Sequence, residues 1–249
     1  MNVLISNDDG ILSNGLKSLV NKFNKDNNVL VVAPDGNRSA SSHSITIAKK
    51  IKLKDVSEQM NCKAFSISGT PADCIKFAKL VFPDFDADVV LSGINKGHNL
   101  GSDILYSGTV GIACEAAFFG NIAFAFSAFS LEESNFDLYS EYAYKIVNTL
   151  LPLSKAGDIW NINFPDDTKT GIQGIKITPL GKQLYTDCYV KDRCGDYMLV
   201  GELIDHDQNV SDCDIEWIKR GYITITPILF DKSNYKKISE VSEICEKLL

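Results

Sequence analysis

Apolar residues fall along this chain in two alternating rhythms. Residues 2–6, "NVLIS", form a short apolar run, and residues 15–25 carry Leu16, Leu19, Val20 and Phe23 at helical spacing, which predicts strand, loop, helix. Residues 28–33, "NVLVVA", are continuously apolar, as in a strand covered on both faces of a parallel sheet. Together these predict a first βαβ unit. The rhythm returns as a strand over 64–68, a helix over 71–81 with Pro71 in its first turn, and a strand "ADVVLS" over 87–92. An Ala-rich helix over 109–119, a strand over 122–127 and a longer helix over 135–151 continue it. Alternation of this kind predicts a doubly wound α/β sheet with right-handed crossovers, which binds ligands outside the carboxyl ends of its strands.

After about residue 158 the rhythm breaks. Strand candidates at 158–163, 172–178 and 222–228 are separated by polar, Gly-containing stretches, which predicts an extension of hairpins closed by an amphipathic helix over 237–249.

Three polar loops follow three predicted strands: "SNDDG" at 6–10, "PDGNRSASSHS" at 34–44 and "SGINKGHNLGSDILYSGTVG" at 92–111. Asp8 and Asp9 are neighbours, with Cα atoms about 3.8 Å apart. If both turn inward, one must be neutralised unless a cation intervenes. A hard divalent cation such as Mg²⁺ or Mn²⁺ prefers oxygen ligands, and Ser39 and Asn95 are neutral oxygen donors on the other two loops. The plainer reading makes Asp8 or Asp9 a helix cap or an Asx-turn, Asn95 a turn residue and Ser39 one serine of several. Ser107, Gly108 and Thr109 precede a predicted helix whose free N–H groups favour an anion, or else they serve as its N-cap. "SGTP" at 68–71 poses the same choice, and there a cap is expected.

Composition narrows the field. A chain of 249 residues, 45% hydrophobic, buries a core without disulfide or metal staples. The net charge of −7 argues against binding a nucleic-acid duplex through a basic surface. Seven cysteines with no CxxC pair suggest a reducing compartment, and no apolar run is long enough to span a bilayer, so the expectation is a soluble cytoplasmic protein. His43, His98 and His206 have no zinc-site spacing; His43 and His98 could assist near a metal site, but a surface or turn role is the expected one for each, while Cys62, Cys74 and Cys114 read as core packing. GxSxG, GxGxxG and GxxxxGK[ST] are all missing from the sequence, which weakens triad-hydrolase, dinucleotide and NTPase readings.

Taken in order, "ISNDDGI", "VVAPDGNRSASSHSIT", "SGTPADC", "VVLSGINKGHNLGSDILYSGTVG" and "SDCDIEWIKRGYITITPI" resemble the SurE (survival protein E) family, metal-dependent phosphatases acting on nucleoside monophosphates. The resemblance implies a single domain with a Rossmann-like, mostly parallel, three-layer α/β/α core over 1–157. Its 158–249 extension would exchange elements within homodimers or homotetramers. It further implies that Asp8, Asp9, Ser39 and Asn95 bind one divalent cation per subunit, and that Ser107, Gly108 and Thr109 lie against the substrate phosphate. The second loop departs from the family pattern: Gly36 stands where Arg is common, Ala40 where Gly is common and His43 where Asn is common. Contacts that an Arg would make from that loop are therefore not carried over.

The expected reaction is hydrolysis of a phosphate monoester, most simply a nucleoside 5'-monophosphate. Asp8 and Asp9 anchor the metal and serve as the catalytic carboxylates, one of them as base or nucleophile, with direct water attack favoured over an aspartyl-phosphate because the adjacent acids form no D-x-D pair. Lys96, with Asn95 and the helix start at Ser107, stabilises phosphoryl charge. The rivals are exopolyphosphatase or 3'-nucleotidase activity at the same site, or a nucleotide-binding module without turnover.

Overall fold

The structure, a computed structural model, describes residues 1–129, 135–166, 171–204 and 212–246, with side chains through residue 242. Its first strand, β1 (Asn2–Ser6), sits in the middle of one large sheet. Val3 and Ile5 point to one face and Leu4 to the other, the period of two that a strand imposes. Helix α1 (Asn14–Phe23) follows and leads to β2 (Asn28–Pro34), which pairs parallel with β1.

Beyond β2 the chain forms a short edge strand β3 (Leu53–Asp55), the one-turn α2 (Ser57–Met60), β4 (Lys63–Ile67) and α3 (Pro71–Val81). It then crosses to the opposite side of β1 as β5 (Val89–Lys96), parallel to β1 with Ser6 opposite Ser92. A 3-10 turn at Gly101–Leu105 leads into α4 (Gly108–Phe118), followed by β6 (Ile122–Ala128), α5 (Asn135–Leu150) and β7 (Ile159–Phe164). The full order is β3-β4-β2-β1-β5-β6-β7-β11-β8. Growth leftward from β1 and then rightward from β5 places the topological switch point between these two strands.

One face of the sheet is covered by α1 and α5 through Leu16, Leu19, Phe23, Tyr139 and Val147. The other is covered by α3 and α4 through Cys74, Ile75, Ile112 and Ala113. These are the three layers of an α/β/α fold, with six parallel neighbours from β4 to β7 buried on both sides.

The later part of the chain departs from a plain run of hairpins. The strands β8 (Gly174–Ile177) and β11 (Tyr222–Ile228) extend the main sheet, β11 antiparallel to β7 and β8 parallel to β11. Among the described residues the one hairpin in this part is β9 (Cys188–Lys191) with β10 (Tyr197–Val200), which stands apart as its own two-stranded sheet. Two short helices complete the chain, α6 (Asp214–Lys219) and α7 (Tyr235–Glu246). Among the described residues no helix is long and apolar enough to cross a membrane. His206 lies outside the described residues.

Candidate active site

Asp8 and Asp9 leave β1 at the switch point, and neither caps the helix that follows. That position is taken by Ser13, whose Oγ accepts from the Leu16 N–H at 3.4 Å. The turn is tied instead by Asn7, whose Nδ2 donates to the Gly10 carbonyl at 3.0 Å and to Ser13 Oγ at 2.7 Å. Gly10 has φ of +101°, and a Cβ there would stand 3.0 Å from the Gly36 carbonyl carbon. Only glycine lets the first and second loops meet so closely.

The two acids are thus free to face other loops. Asp8 is 4% exposed and accepts the Thr109 hydroxyl at 2.5 Å, while Asp9 Oδ2 accepts the Lys96 backbone N–H at 3.1 Å. Burial pushes the Asp8 carboxyl up to about 6, against the Thr109 hydrogen bond and with the help of the Asp9 charge. Burial also raises Asp9, opposed by the Lys96 N–H and the Lys96 charge. Two adjacent, partly desolvated carboxylates of this kind favour a cation between them.

Ser39 and Asn95 arrive from the other loops. The Arg38 N–H donates to the Asp8 carbonyl at 2.7 Å, which docks the second loop on the first. The Ser39 N–H and Oγ both donate to Asn37 Oδ1, at 2.7 and 2.6 Å, leaving the Oγ lone pairs available. Asn95 follows an irregularity in β5 between Ser92 and Asn95. Its Nδ2 donates to the Gly97 carbonyl at 2.8 Å, so Oδ1 is the atom left for a further partner.

The donors on offer are therefore two carboxylates, a hydroxyl and an amide oxygen, all hard oxygens, which suits Mg²⁺ or Mn²⁺. Among the described residues there is no group of three or more His, Cys, Asp or Glu side chains that could hold a metal, so Asp8 and Asp9 would need neutral oxygens such as those of Ser39 and Asn95 to complete a cation site. The donor set fits a hard cation.

At α4 the Ser107 Oγ accepts the Val110 N–H at 3.1 Å, so its side chain is the helix N-cap. A Cβ added at Gly108 would lie 2.8 Å from Asp8 Oδ2 and from Ser41 Oγ. The start of α4 therefore rests directly against Asp8. At "SGTP" the expected cap is found, since Thr70 and Asp73 form a reciprocal capping box on α3.

Asp8, Ser39, Asn95, Lys96 and Ser107 line one cleft of about 620 Å³, large enough for a nucleotide. Its far wall is built by Asp103, Tyr106, Tyr185, Asp187 and Leu199. The Tyr185 hydroxyl donates to Asp103 Oδ2 at 2.5 Å, pinning the hairpin segment to the turn after β5.

A family model described as survival protein SurE matches residues 3–187. The 5'-nucleotidase SurE of Caldanaerobacter subterraneus subsp. tengcongensis is 40% identical over 251 residues, spanning 96% of either chain. This chain belongs to the SurE family. Another SurE relative, the 5'-nucleotidase SurE of Clostridium botulinum strain Loch Maree, is 39% identical over 98% of this chain and 99% of its own. The crystal structure of SurE protein from Aquifex aeolicus superimposes with a TM-score of 0.83 at 32% identity, covering 97% of this chain and 98% of that one.

Several residues of this SurE site escape a linear reading. Asn37, which holds Ser39, has a local signal, an Asx residue two positions before its partner. Tyr185, Asp187 and Leu199 have none, because Leu199 reaches the cleft from the separate two-stranded sheet and Tyr185 and Asp187 from the segment that leads into it. His98 lines the cleft, but its Nε2 donates to the Phe164 carbonyl at 2.8 Å and burial holds its pKa low. His43 is paired with the buried Glu115, Nε2 to Oε2 at 2.6 Å. Gly36, where the SurE pattern often has Arg, faces open space and sends nothing into the cleft. Cys74 is fully buried and Cys62 and Cys114 are half-buried, with thiol pKa values raised by burial, as packing residues would be.

Proposed function

We propose that this protein is a divalent-cation-dependent 5'-nucleotidase that hydrolyses nucleoside 5'-monophosphates to nucleoside and phosphate. The observation that carries the reading is Asp8, buried at the switch point with Asp9 beside it and the start of α4 against it. The names of the relatives, 5'-nucleotidase SurE, support the same substrate class.

Asp8, Asp9, the Ser39 hydroxyl and the Asn95 amide oxygen would hold one Mg²⁺ or Mn²⁺ per subunit. Such an ion supplies Lewis-acid polarisation of phosphoryl oxygens and a water acidified enough to attack at neutral pH. The protein's own groups do the rest. Lys96 places a positive charge at the cleft wall, and the N-terminal turn of α4 at Ser107, Gly108 and Thr109 turns its dipole toward the anion. The Thr109 hydroxyl orients Asp8, and Asp8 and Asp9 are carboxylates able to accept the proton of the attacking water. Attack of the water oxygen on phosphorus forms one P–O bond as the ester P–O bond breaks, and the 5' oxygen leaves with the proton that the carboxylate took from the water.

The large exposed side chains of the hairpin, Tyr189, Tyr197 and Met198, support assembly as a homodimer or homotetramer, which light scattering would measure. The unpaired cysteines support work in the cytoplasm.

The decisive assay is phosphate release from AMP, GMP, UMP, a 3'-nucleotide, short polyphosphate and p-nitrophenyl phosphate, with Mg²⁺, Mn²⁺ or neither. Metal-dependent release from 5'-monophosphates, lost in Asp8→Asn and Asp9→Asn, is expected. Undiminished release in excess EDTA, or in both variants, would overturn the proposal. Stoichiometric nucleotide binding with no release would make the protein a binding module instead.

A further inference from the structure

The backbone around Ser39 is strained. Ala40 and Ser42 have φ of +57° and +54°, a left-handed conformation that residues carrying a Cβ populate reluctantly. Ala40 follows Ser39 directly, so the Ser39 hydroxyl is presented by a peptide that a free loop would not hold. Strain of this kind persists only where the surroundings over-determine it.

The surroundings can be named. On the N-terminal side, the Arg38 N–H donates to the Asp8 carbonyl at 2.7 Å. On the C-terminal side, Ser42 donates from its N–H to the Tyr106 carbonyl at 3.0 Å and from its Oγ to the Leu105 carbonyl at 2.7 Å. His43 then meets Glu115 at 2.6 Å, and the other oxygen of Glu115 takes Lys76 Nζ at 2.7 Å.

This last anchor differs from the others. Glu115 is 4% exposed, in the same helix whose first turn touches Asp8. Burial raises its pKa, but the hydrogen bonds and charges of His43 and Lys76 outweigh that and hold it below the usual carboxylate range, so it stays charged. A Cβ at Gly111 would lie 2.4 Å from the Ser42 carbonyl oxygen and 3.2 Å from His43 Cα, so the loop lies on the helix backbone itself. A charge-assisted bond at this point fixes the strained loop to the element carrying the other half of the site.

We propose that His43, through its pairing with Glu115, is a positioning residue that keeps Ser39 in place to bind the cation alongside Asp8, Asp9 and Asn95. The inference rests on reading Ser39 as a cation ligand. His43 acts through the loop and need not touch the substrate. The strain at Ala40 makes the anchor matter.

The test is direct Mn²⁺ binding to the full chain, by electron paramagnetic resonance of free Mn²⁺ or by calorimetry, alongside the thermal midpoint without metal. His43→Ala is expected to raise the Mn²⁺ Kd on the order of tenfold, the factor that left-handed strain of a single residue would impose. The metal-free midpoint should fall only modestly, because Glu115 keeps its Lys76 partner at 2.7 Å when His43 is lost. Glu115→Gln should shift Kd in the same direction. If that variant fails to fold, His43→Ala and its double variant carry the test alone. Adding Ala40→Gly to His43→Ala should recover most of the loss without adding a contact, because glycine enters the left-handed region freely.

Ser39→Ala separates the two layers of the argument. If wild-type protein does not bind Mn²⁺, or Ser39→Ala binds it equally well, the ligand reading fails and this proposal falls with it. If Ser39→Ala weakens binding while His43→Ala does not, the positioning role alone is overturned. A loss in His43→Ala that Ala40→Gly leaves untouched overturns it too, since strain at residue 40 is the route proposed.

Discussion

Asp8 is a charge kept where water hardly reaches, and that has a sign that can be checked. In the metal-free fold its pKa lies near 6 against 3.8 for the unstructured residue, so the folded state binds more protons between these values. Stability therefore falls as pH rises from about 4 to about 6, and above that the full penalty stands. For the difference in pKa the penalty is about 3 kcal/mol. Asp9 is raised too and adds in the same direction. Asp8→Asn removes the charge but keeps an acceptor for Thr109. It is therefore expected to stabilise the EDTA-treated protein at pH 7.5 by roughly 1 to 3 kcal/mol. At pH 4 the gain should shrink toward nothing. Urea unfolding of the two proteins at both pH values measures this, and an Asp8→Asn protein less stable than wild type at pH 7.5 would contradict it.

Gly108 gives a second test at the same scale. Alanine in the first turn of a helix is ordinarily favourable by ~0.5–1 kcal/mol relative to glycine. Here its Cβ would press on Asp8 and Ser41 at 2.8 Å, so steric displacement of the carboxylate should win. Gly108→Ala is expected to fold with near-native circular dichroism and to lose at least tenfold in kcat/KM for a nucleoside monophosphate. Unchanged kcat/KM would mean that Asp8 yields without consequence.

Among the elements, legibility follows burial. The strands β1, β2 and β5 and the helix α3 are plain in the sequence because both sheet faces, or one whole helix stripe, must be apolar. The edge strand β3 is exposed at all three positions and carries no such pattern. The hairpin β9–β10 is nearly as exposed, and its strands pair only with each other. The strands β8 and β11 are visible as segments, yet nothing local says that they pair in parallel and continue the main sheet. For the same reason Asp8, Asp9, Ser39 and Asn95 stand out as polar residues at strand ends, whereas Tyr185 and Asp187 across the cleft do not.

One buried residue joins these separately encoded pieces. The Asp214 carboxylate at the start of α6 accepts the N–H groups of Gly101 and Gly181, both at 2.7 Å, and of Ile215 at 2.9 Å. Burial raises its pKa against these three bonds. Removing the acceptor would leave buried donors unsatisfied at ~1 to 3 kcal/mol each. Asp214→Ala is accordingly expected to lower unfolding free energy by about 3 kcal/mol or more in a denaturant titration. It should also loosen the turn at Gly101–Leu105 that carries Asp103 to the cleft. A loss below ~1 kcal/mol would show that water replaces the carboxylate at little cost.

At the scale of the whole molecule, the puzzle is how a chain of net charge −7 holds a phosphate that is itself an anion. Long-range attraction is of the wrong sign, so the favourable potential must be made locally, within roughly the 8 Å over which charge acts at physiological salt. At the cleft Lys96 and the start of α4 supply part of it, but Asp8, Asp103 and Asp187 oppose them. A divalent cation between Asp8 and Asp9, as proposed, would reverse that balance and relieve their own repulsion. Its binding would therefore also stabilise the fold, because Asp8, Ser39 and Asn95 come to one cleft from three loops that only the folded sheet brings together, with Asp9 next to Asp8 in the chain. At a concentration 100 times its Kd, a native-specific ligand adds about 2.7 kcal/mol. For a domain of this size that corresponds to a rise in Tm of roughly 5 to 10 °C. Mn²⁺ is expected to produce such a rise, EDTA to reverse it, and Asp9→Asn to abolish most of it. A melting temperature indifferent to saturating Mn²⁺ would mean that the carboxylates hold no cation, and the local origin of the phosphate's attraction would have to be sought elsewhere.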